Sequence, residues 1–369
     1  MGYYRESLAE ILFRFRVIMK ICIIGAFDFV GLDTGGQPVK SRELFNLIKN
    51  KFGDNQVDYL ETYRWRKRLF YFVPRLFQSI CCSDTFIMLP AQNGVTVFSK
   101  ILYLLKKSKR KCNIFYSVIG GWLPEKISES PRLKKYLQVF DGIWVETSLM
   151  KRSLDSMGFC NVTIIPNFKK LTLLRFIDLP NVLSQPLRLC TFSRVMEEKG
   201  IEDAINAVNT INSRYGKTIF TLDIYGYIAD NYLDTFYRLM STFPEYIKYK
   251  GVVMPNDSVS VLQNYFCLLF PTRFYTEGLP GTIIDAYASG LPIITALWKN
   301  YEDIFIESVT GWGYEFGNVQ ALIELLEKAA SNPVEFSRMR KNCLLEAERF
   351  RPESVIALIR DAMKLDNGN

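Results

Sequence analysis

The sequence predicts an α/β protein made of two doubly wound parallel sheets that face a central cleft. Short apolar runs of strand length alternate with helix-length segments along nearly the whole chain, the pattern of parallel strands joined by crossover helices. The alternation breaks once, at residues 171–186, LTLLRFIDLPNVLSQP, a stretch with two prolines that reads as a linker. A length of 369 residues exceeds one ordinary core and fits two domains.

Taken in order, residues 1–18 mix Arg and Glu with apolar positions and lack the uninterrupted apolar core and cleavage site of a secretory leader. They read either as a short amphipathic helix or as an N-terminal extension ahead of Met19, where MKICIIGAF makes a natural start. The first domain is expected over 19–170. KICIIGAF (20–27) is a buried strand, followed by a loop holding Gly35 and Gly36, with Pro38 suited to the first turn of a helix through Ile48. The glycine pair permits close approach of a ligand, or marks a plain βα turn. It is not G-x-G-x-x-G, so a nicotinamide or flavin site is not expected. FIMLP (86–90), NIFYSVIGGW (113–122), GIWVETS (142–148) and VTIIPN (162–167) supply further strands.

The second domain is expected over 187–350. LRLCTFSR (187–194), TIFTLDIYG (218–226) and IKYKGVV (247–253) are strands, with helices over 201–215, near 232–241 and near 258–264. Residues 268–297, LLFPTRFYTEGLPGTIIDAYASGLPIITAL, then read as strand, loop, helix, strand, with the loop at the carboxyl end of a parallel strand where open α/β sheets bind ligands. The chain from about 321 is helical, and 351–369 is a candidate to cross back to the first domain.

Composition narrows the chemistry. A hydrophobic fraction of 49% and a charged fraction of 23% are those of a soluble globular chain, and no apolar run reaches the ~18 residues of a bilayer span. Eight cysteines without C-x-x-C read as reduced thiols of a cytoplasmic protein. There is no histidine, which removes Ser-His-Asp and Cys-His systems and the common zinc sites together. With D-x-D also missing, a metal-dependent mechanism is disfavoured. Residues 1–184 carry +13 and residues 185–369 carry −5, so the first domain is expected to meet an anionic partner. WRKRLFYFVPRLF (65–77) and ILYLLKKSKRKC (101–112) set basic residues beside aromatics, which suits an anionic membrane at about 1 kcal/mol per basic residue. The alternative is a solvated helix face with core aromatics. No nucleic-acid module is visible, so nucleic acid is not expected as a partner.

CTFSRVMEEKGIEDAINAV (190–208) places Arg194 at a strand end and Lys199 five residues on, where two cations can clamp a diphosphate or pair with Glu197, Glu198 or Glu202 on the surface. In the 268–297 unit, Glu277 precedes Gly278, Pro280 and Gly281 at a helix start, whose free N–H groups suit phosphate. A carboxylate beside a phosphate cradle fits a ligand with one phosphate end and one hydroxyl-rich end.

S-R-x4-K-G around Arg194 and Lys199, the G-L-P-G loop, Glu277 with Asp285, the Gly35-Gly36 pair, the IPN ending at Asn167 and A-S-G-L-P-I-I-T together resemble the retaining glycosyltransferases of family 4. The resemblance runs over almost the whole chain. It implies the GT-B fold, two Rossmann-like domains facing a cleft. In that family's terms the catalytic group is Arg194, Lys199 and Glu277. The cations would hold the donor's diphosphate together with the backbone around Leu279, Pro280, Gly281 and Thr282 and the Gly35-Gly36 loop. Glu277 would accept from the donor sugar's hydroxyls. Asp285, at the second acid of E-x7-E, would accept from the ribose, the alternative being a first-turn acid stabilised by the helix dipole. Two positions depart from the pattern: Asp285 replaces Glu, and Ile119 stands where many members carry a histidine that reaches the sugar. An apolar Ile119 would tolerate a donor lacking an outer hydroxyl. The implied activity is metal-independent, cofactor-free retaining transfer from a nucleoside diphosphate sugar to a saccharide or polyprenyl-linked acceptor. The expected setting is the cytoplasm, at the inner membrane face, in surface polysaccharide or glycolipid assembly. A GT-B sugar-nucleotide epimerase is a poorer fit without histidine, and a non-catalytic sugar-nucleotide-binding subunit is the alternative from another class.

Overall fold

The computed structural model describes residues 20–29, 36–108 and 111–364, so the 1–18 extension and Gly35 lie outside the described residues. The first sheet contains β1 (Ile21–Gly25), β2 (Val57–Glu61), β3 (Thr85–Met88), β4 (Asn113–Ser117), β5 (Gly142–Val145) and β6 (Val162–Ile164), in the order β2-β1-β3-β4-β5-β6. The second contains β7 (Leu187–Phe192), β8 (Phe220–Tyr225), β9 (Ile247–Gly251), β10 (Cys267–Phe270), β11 (Ile293–Leu297) and β12 (Gly311–Glu315), in the order β12-β11-β10-β7-β8-β9. Every pairing is parallel. Two such sheets with helices on both faces form the GT-B architecture.

Sheet burial explains the sequence pattern. Every residue of β1 is buried, with Cys22 and Ile24 in one core cluster and Ile21 and Ile23 in the other. Helices cover both faces, so central strands are apolar throughout. Two of the four edge strands, β2 and β12, were missed by the apolar pattern. β2 reads VDYLE, with Asp58, Tyr59 and Glu61 only partly buried, and β12 reads GWGYE, where glycines and the exposed Glu315 break up the buried Trp312 and Tyr314, as an edge tolerates.

The chain returns to its starting domain at the end. Val355 and Ile359 of the Pro352–Ala362 helix lie in the cluster that holds Ile21, Ile23 and Leu44. The Lys169 amide donates to the Phe350 carbonyl at 3.1 Å, joining this crossing to the segment that follows β6.

The basic aromatic stretch forms the Leu69–Cys82 helix, and its apolar side faces out. Phe70 is 95% exposed, Tyr71 84% and Phe77 70%, while Phe72 and Ser79 are buried. Arg64, Arg66, Lys67 and Arg68 stand exposed just ahead of it. Among the described residues no helix is long and apolar enough to cross a membrane.

Candidate functional site

The two sheets present their carboxyl edges to a cleft of about 570 Å³. Gly36, Lys40 and Lys169 line it from the first domain, and Arg194, Lys199, Glu277, Pro280, Gly281, Thr282 and Asp285 from the second. Gly36 is the exposed first residue of the Gly36–Phe52 helix.

Arg194 follows the end of β7 and is exposed in the cleft. A short turn at Glu197–Lys199 then leads to Gly200, whose φ of +67° is left-handed. A Cβ there would stand 1.8 Å from the Pro271 carbonyl oxygen, so only glycine lets the turn press against the end of β10. This contact carries Lys199 across to Glu277, and the two form an ion pair with side chains 19% and 17% exposed. Lys199 also sits over the Phe270 ring, 5.8 Å from its centroid.

The Gly281–Ala288 helix begins at the cleft. The Ile283 amide donates to the Pro280 carbonyl, and the Thr282 hydroxyl donates to the Phe192 carbonyl at 2.6 Å, tying the helix start to the end of β7. By helix geometry the Gly281 and Thr282 amides are among the donors without intrahelical partners. Two expectations for this loop need correction. Leu279 is 4% exposed, and its amide is already taken by the Glu146 carboxylate at 3.1 Å, so it serves the domain contact. Pro280 lines the cleft but has no N–H to offer a phosphate.

Glu146 was not expected from the sequence. It lies just past β5, 3% exposed, and accepts from Lys40, the Gly120 amide and the Leu279 amide. The Lys40 ammonium also donates to the Val118 carbonyl at 3.2 Å. A buried carboxylate needs such partners, and this one draws them from both domains. Gly278 makes the approach possible, since a Cβ there would stand 2.4 Å from Glu146 Oε2. Asp303 accepts from the Ser148 amide at 3.0 Å and from its hydroxyl at 3.1 Å, a further polar tie between the domains.

Asp285 is buried, and its helix has no acid in the first turn, so the first-turn alternative fails. Its carboxylate accepts from Lys169 Nζ at 2.7 and 2.6 Å and from Ser258 Oγ at 3.1 Å. Burial pushes its carboxyl above the usual range, while the Lys169 ammonium and Ser258 hydroxyl pull it back. Lys169, two residues beyond Asn167 of the IPN segment, is the second residue not expected from the sequence. Ile119 is partly buried against the cluster holding Phe27 and Phe168, and among the described residues it is not one that lines the cleft.

Arg194, Lys199, Glu277, Gly281 and Thr282 therefore line one cavity, which holds two cations, a helix start and a carboxylate paired with Lys199. Residues 186–332 match the family model described as glycosyl transferases group 1. The amylovoran biosynthesis glycosyltransferase AmsK of Erwinia amylovora is 26% identical over 162 residues, 41% of this chain and 37% of that protein. The capsular polysaccharide biosynthesis glycosyltransferase CapM of Staphylococcus aureus is 29% identical over 136 residues, 37% of this chain and 34% of that protein. This chain thus spans about a third of the length of these curated relatives. Anabaena HepE, solved in complex with UDP-glucose, superposes with a TM-score of 0.73 at 14% identity, covering 94% of this chain and 99% of that one.

Proposed function

From the match of residues 186–332 to the glycosyl transferases group 1 model, we propose that this chain is a glycosyltransferase that moves a sugar from a nucleoside diphosphate donor to a saccharide or lipid-linked saccharide during polysaccharide assembly. The observation that carries this reading is the joint placement of Arg194, Lys199, Glu277 and the Gly281–Ala288 helix start on one cleft.

Expelling a nucleoside diphosphate from an anomeric carbon concentrates negative charge on the leaving phosphate. Arg194, Lys199 and the Gly281 and Thr282 amides supply fixed positive charge and dipoles there, which is the largest need of such a reaction. These groups supply it from the protein alone, so the transfer is proposed to be metal-independent. Glu277 accepts from sugar hydroxyls and, through its pair with Lys199, couples sugar position to phosphate position. Among the described residues the other carboxylate lining the cleft, Asp285, is taken up by Lys169 and Ser258 rather than presented as a nucleophile. Retention by front-face attack follows, with the departing phosphate taking the acceptor's proton. Tyr227, Val252 and Val253 give the far wall an apolar surface suited to the base. The exposed Phe70, Tyr71 and Phe77, next to four basic residues, would rest on the anionic cytoplasmic leaflet and bring a lipid-linked acceptor to the cleft.

A thermal-shift panel of sugar nucleotides tests the donor half. A selective donor at 100 times its Kd should stabilise the fold by about 2.7 kcal/mol. A flat response across uridine, guanosine, adenosine and thymidine diphosphate sugars would remove the reading.

A further inference from the structure

We propose that Lys169, a residue of the first domain, is a third cation for the donor's diphosphate, and that Asp285 acts by holding it in place. The inference rests on the donor reading above and adds a residue that neither the motif around Arg194 nor the G-L-P-G loop contains.

Lys169 is no surface lysine. Its side chain is 13% exposed and lines the cleft. Its backbone is fixed on both sides of the chain crossing: its amide donates to Phe350, and two residues earlier Asn167 Nδ2 donates to the Leu279 carbonyl at 3.0 Å. An ammonium has three N–H donors. Two go to the Asp285 oxygens, which leaves one for a ligand. The place of that ammonium is telling. A Cβ built on Gly281 would stand 3.6 Å from Lys169 Cδ and 3.9 Å from Nζ, so the charge sits over the first residue of the Gly281–Ala288 helix. A helix start carries a partial positive charge of its own, and Lys199 lines the same cavity. Three positive features lining one cavity favour an anion between them, and a diphosphate is the ligand proposed to meet all three.

The same geometry recasts Asp285. Its carboxylate is buried, both oxygens accept from Lys169, and Ser258 adds a further donor. Asp285 therefore acts on the ligand through Lys169, as a positioning residue, while Lys169 makes the contact. Because Lys169 comes from the first domain and Arg194 and Lys199 from the second, the diphosphate binds both halves of the cleft.

The test uses the full chain and calorimetric titration with UDP, GDP, ADP and dTDP, with the matching nucleosides followed by NMR. Lys169→Met should weaken the preferred diphosphate by roughly 10- to 100-fold, the worth of one charge-assisted hydrogen bond. The nucleoside's affinity should stay unchanged. Lys169→Met/Asp285→Asn should match Lys169→Met, because Asp285 has no separate contact to lose. That double variant removes both charges and serves if the single one misfolds. Wild-type diphosphate affinity in either variant would overturn the assignment of Lys169 alone. Loss of nucleoside affinity in Asp285→Asn would overturn it too, by placing Asp285 directly on the ribose. If the unsubstituted protein binds none of the four diphosphates, the donor reading falls with it.

Discussion

Glu146→Gln probes the tie between the two domains. The side chain keeps its shape but loses its charge, leaving the Lys40 ammonium, 5% exposed, with the Val118 carbonyl and a neutral amide as partners. Removing one member of a buried ion pair costs about 3 to 5 kcal/mol. The remaining carbonyl acceptors offset part of that, so a loss of about 2 to 3 kcal/mol is expected. Lys40→Met should cost a similar amount by stranding the carboxylate. The double variant removes both charges and should cost less than the sum, with a coupling of about 1 to 3 kcal/mol. Urea titration followed by circular dichroism measures this as midpoint shifts at a constant slope. A Glu146→Gln loss below about 0.5 kcal/mol, or strict additivity in the double variant, would show that the pair does not hold the fold as argued.

Other perturbations test separate parts of the account. Gly278→Ala forces a methyl to within 2.4 Å of Glu146 Oε2 and 2.7 Å of the Gly120 Cα, and should destabilise by about 1 to 3 kcal/mol, read as a lower thermal midpoint. Among the cysteines, Cys81, Cys82 and Cys160 are exposed and should react promptly with a thiol reagent. Cys22, Cys112, Cys190, Cys267 and Cys343 are buried, burial pushing the Cys22 thiol up to about 12, and should react only after unfolding. Phe70→Glu/Phe77→Glu should abolish co-sedimentation with vesicles rich in anionic lipid while leaving the thermal midpoint within a degree or two, since both rings are exposed. Retained vesicle binding would move the proposed membrane contact elsewhere.

The central strands and the local motifs were legible in the sequence because their determinants are local. β1, β7 and β10 announce themselves by apolar runs, and Arg194 and Lys199 by their spacing at a strand end. β2 and β12 were not legible, since acids in one and glycines in the other interrupt their apolar residues and leave no continuous run. The long-range partners were hidden for a different reason. The Glu146 bond to the Leu279 amide spans 133 residues, and the Lys169 bond to Asp285 spans 116, so no periodicity reports either. The first takes the Leu279 amide for the domain contact, and the second engages Asp285 with a cation of the first domain. Aromatics at 65–77 admitted two placements from spacing alone, and tertiary packing chose: Trp65 and Phe72 turn inward against Phe98, while Phe70, Tyr71 and Phe77 face out.

The most direct measurement of the central claim is release of nucleoside diphosphate from the preferred sugar nucleotide by the unsubstituted chain, Arg194→Ala and Lys199→Ala. Turnover by the first is expected, with the barrier raised by about 2 to 4 kcal/mol in each variant, a fall in kcat of roughly 30- to 900-fold. Near-equal kcat in all three would contradict it.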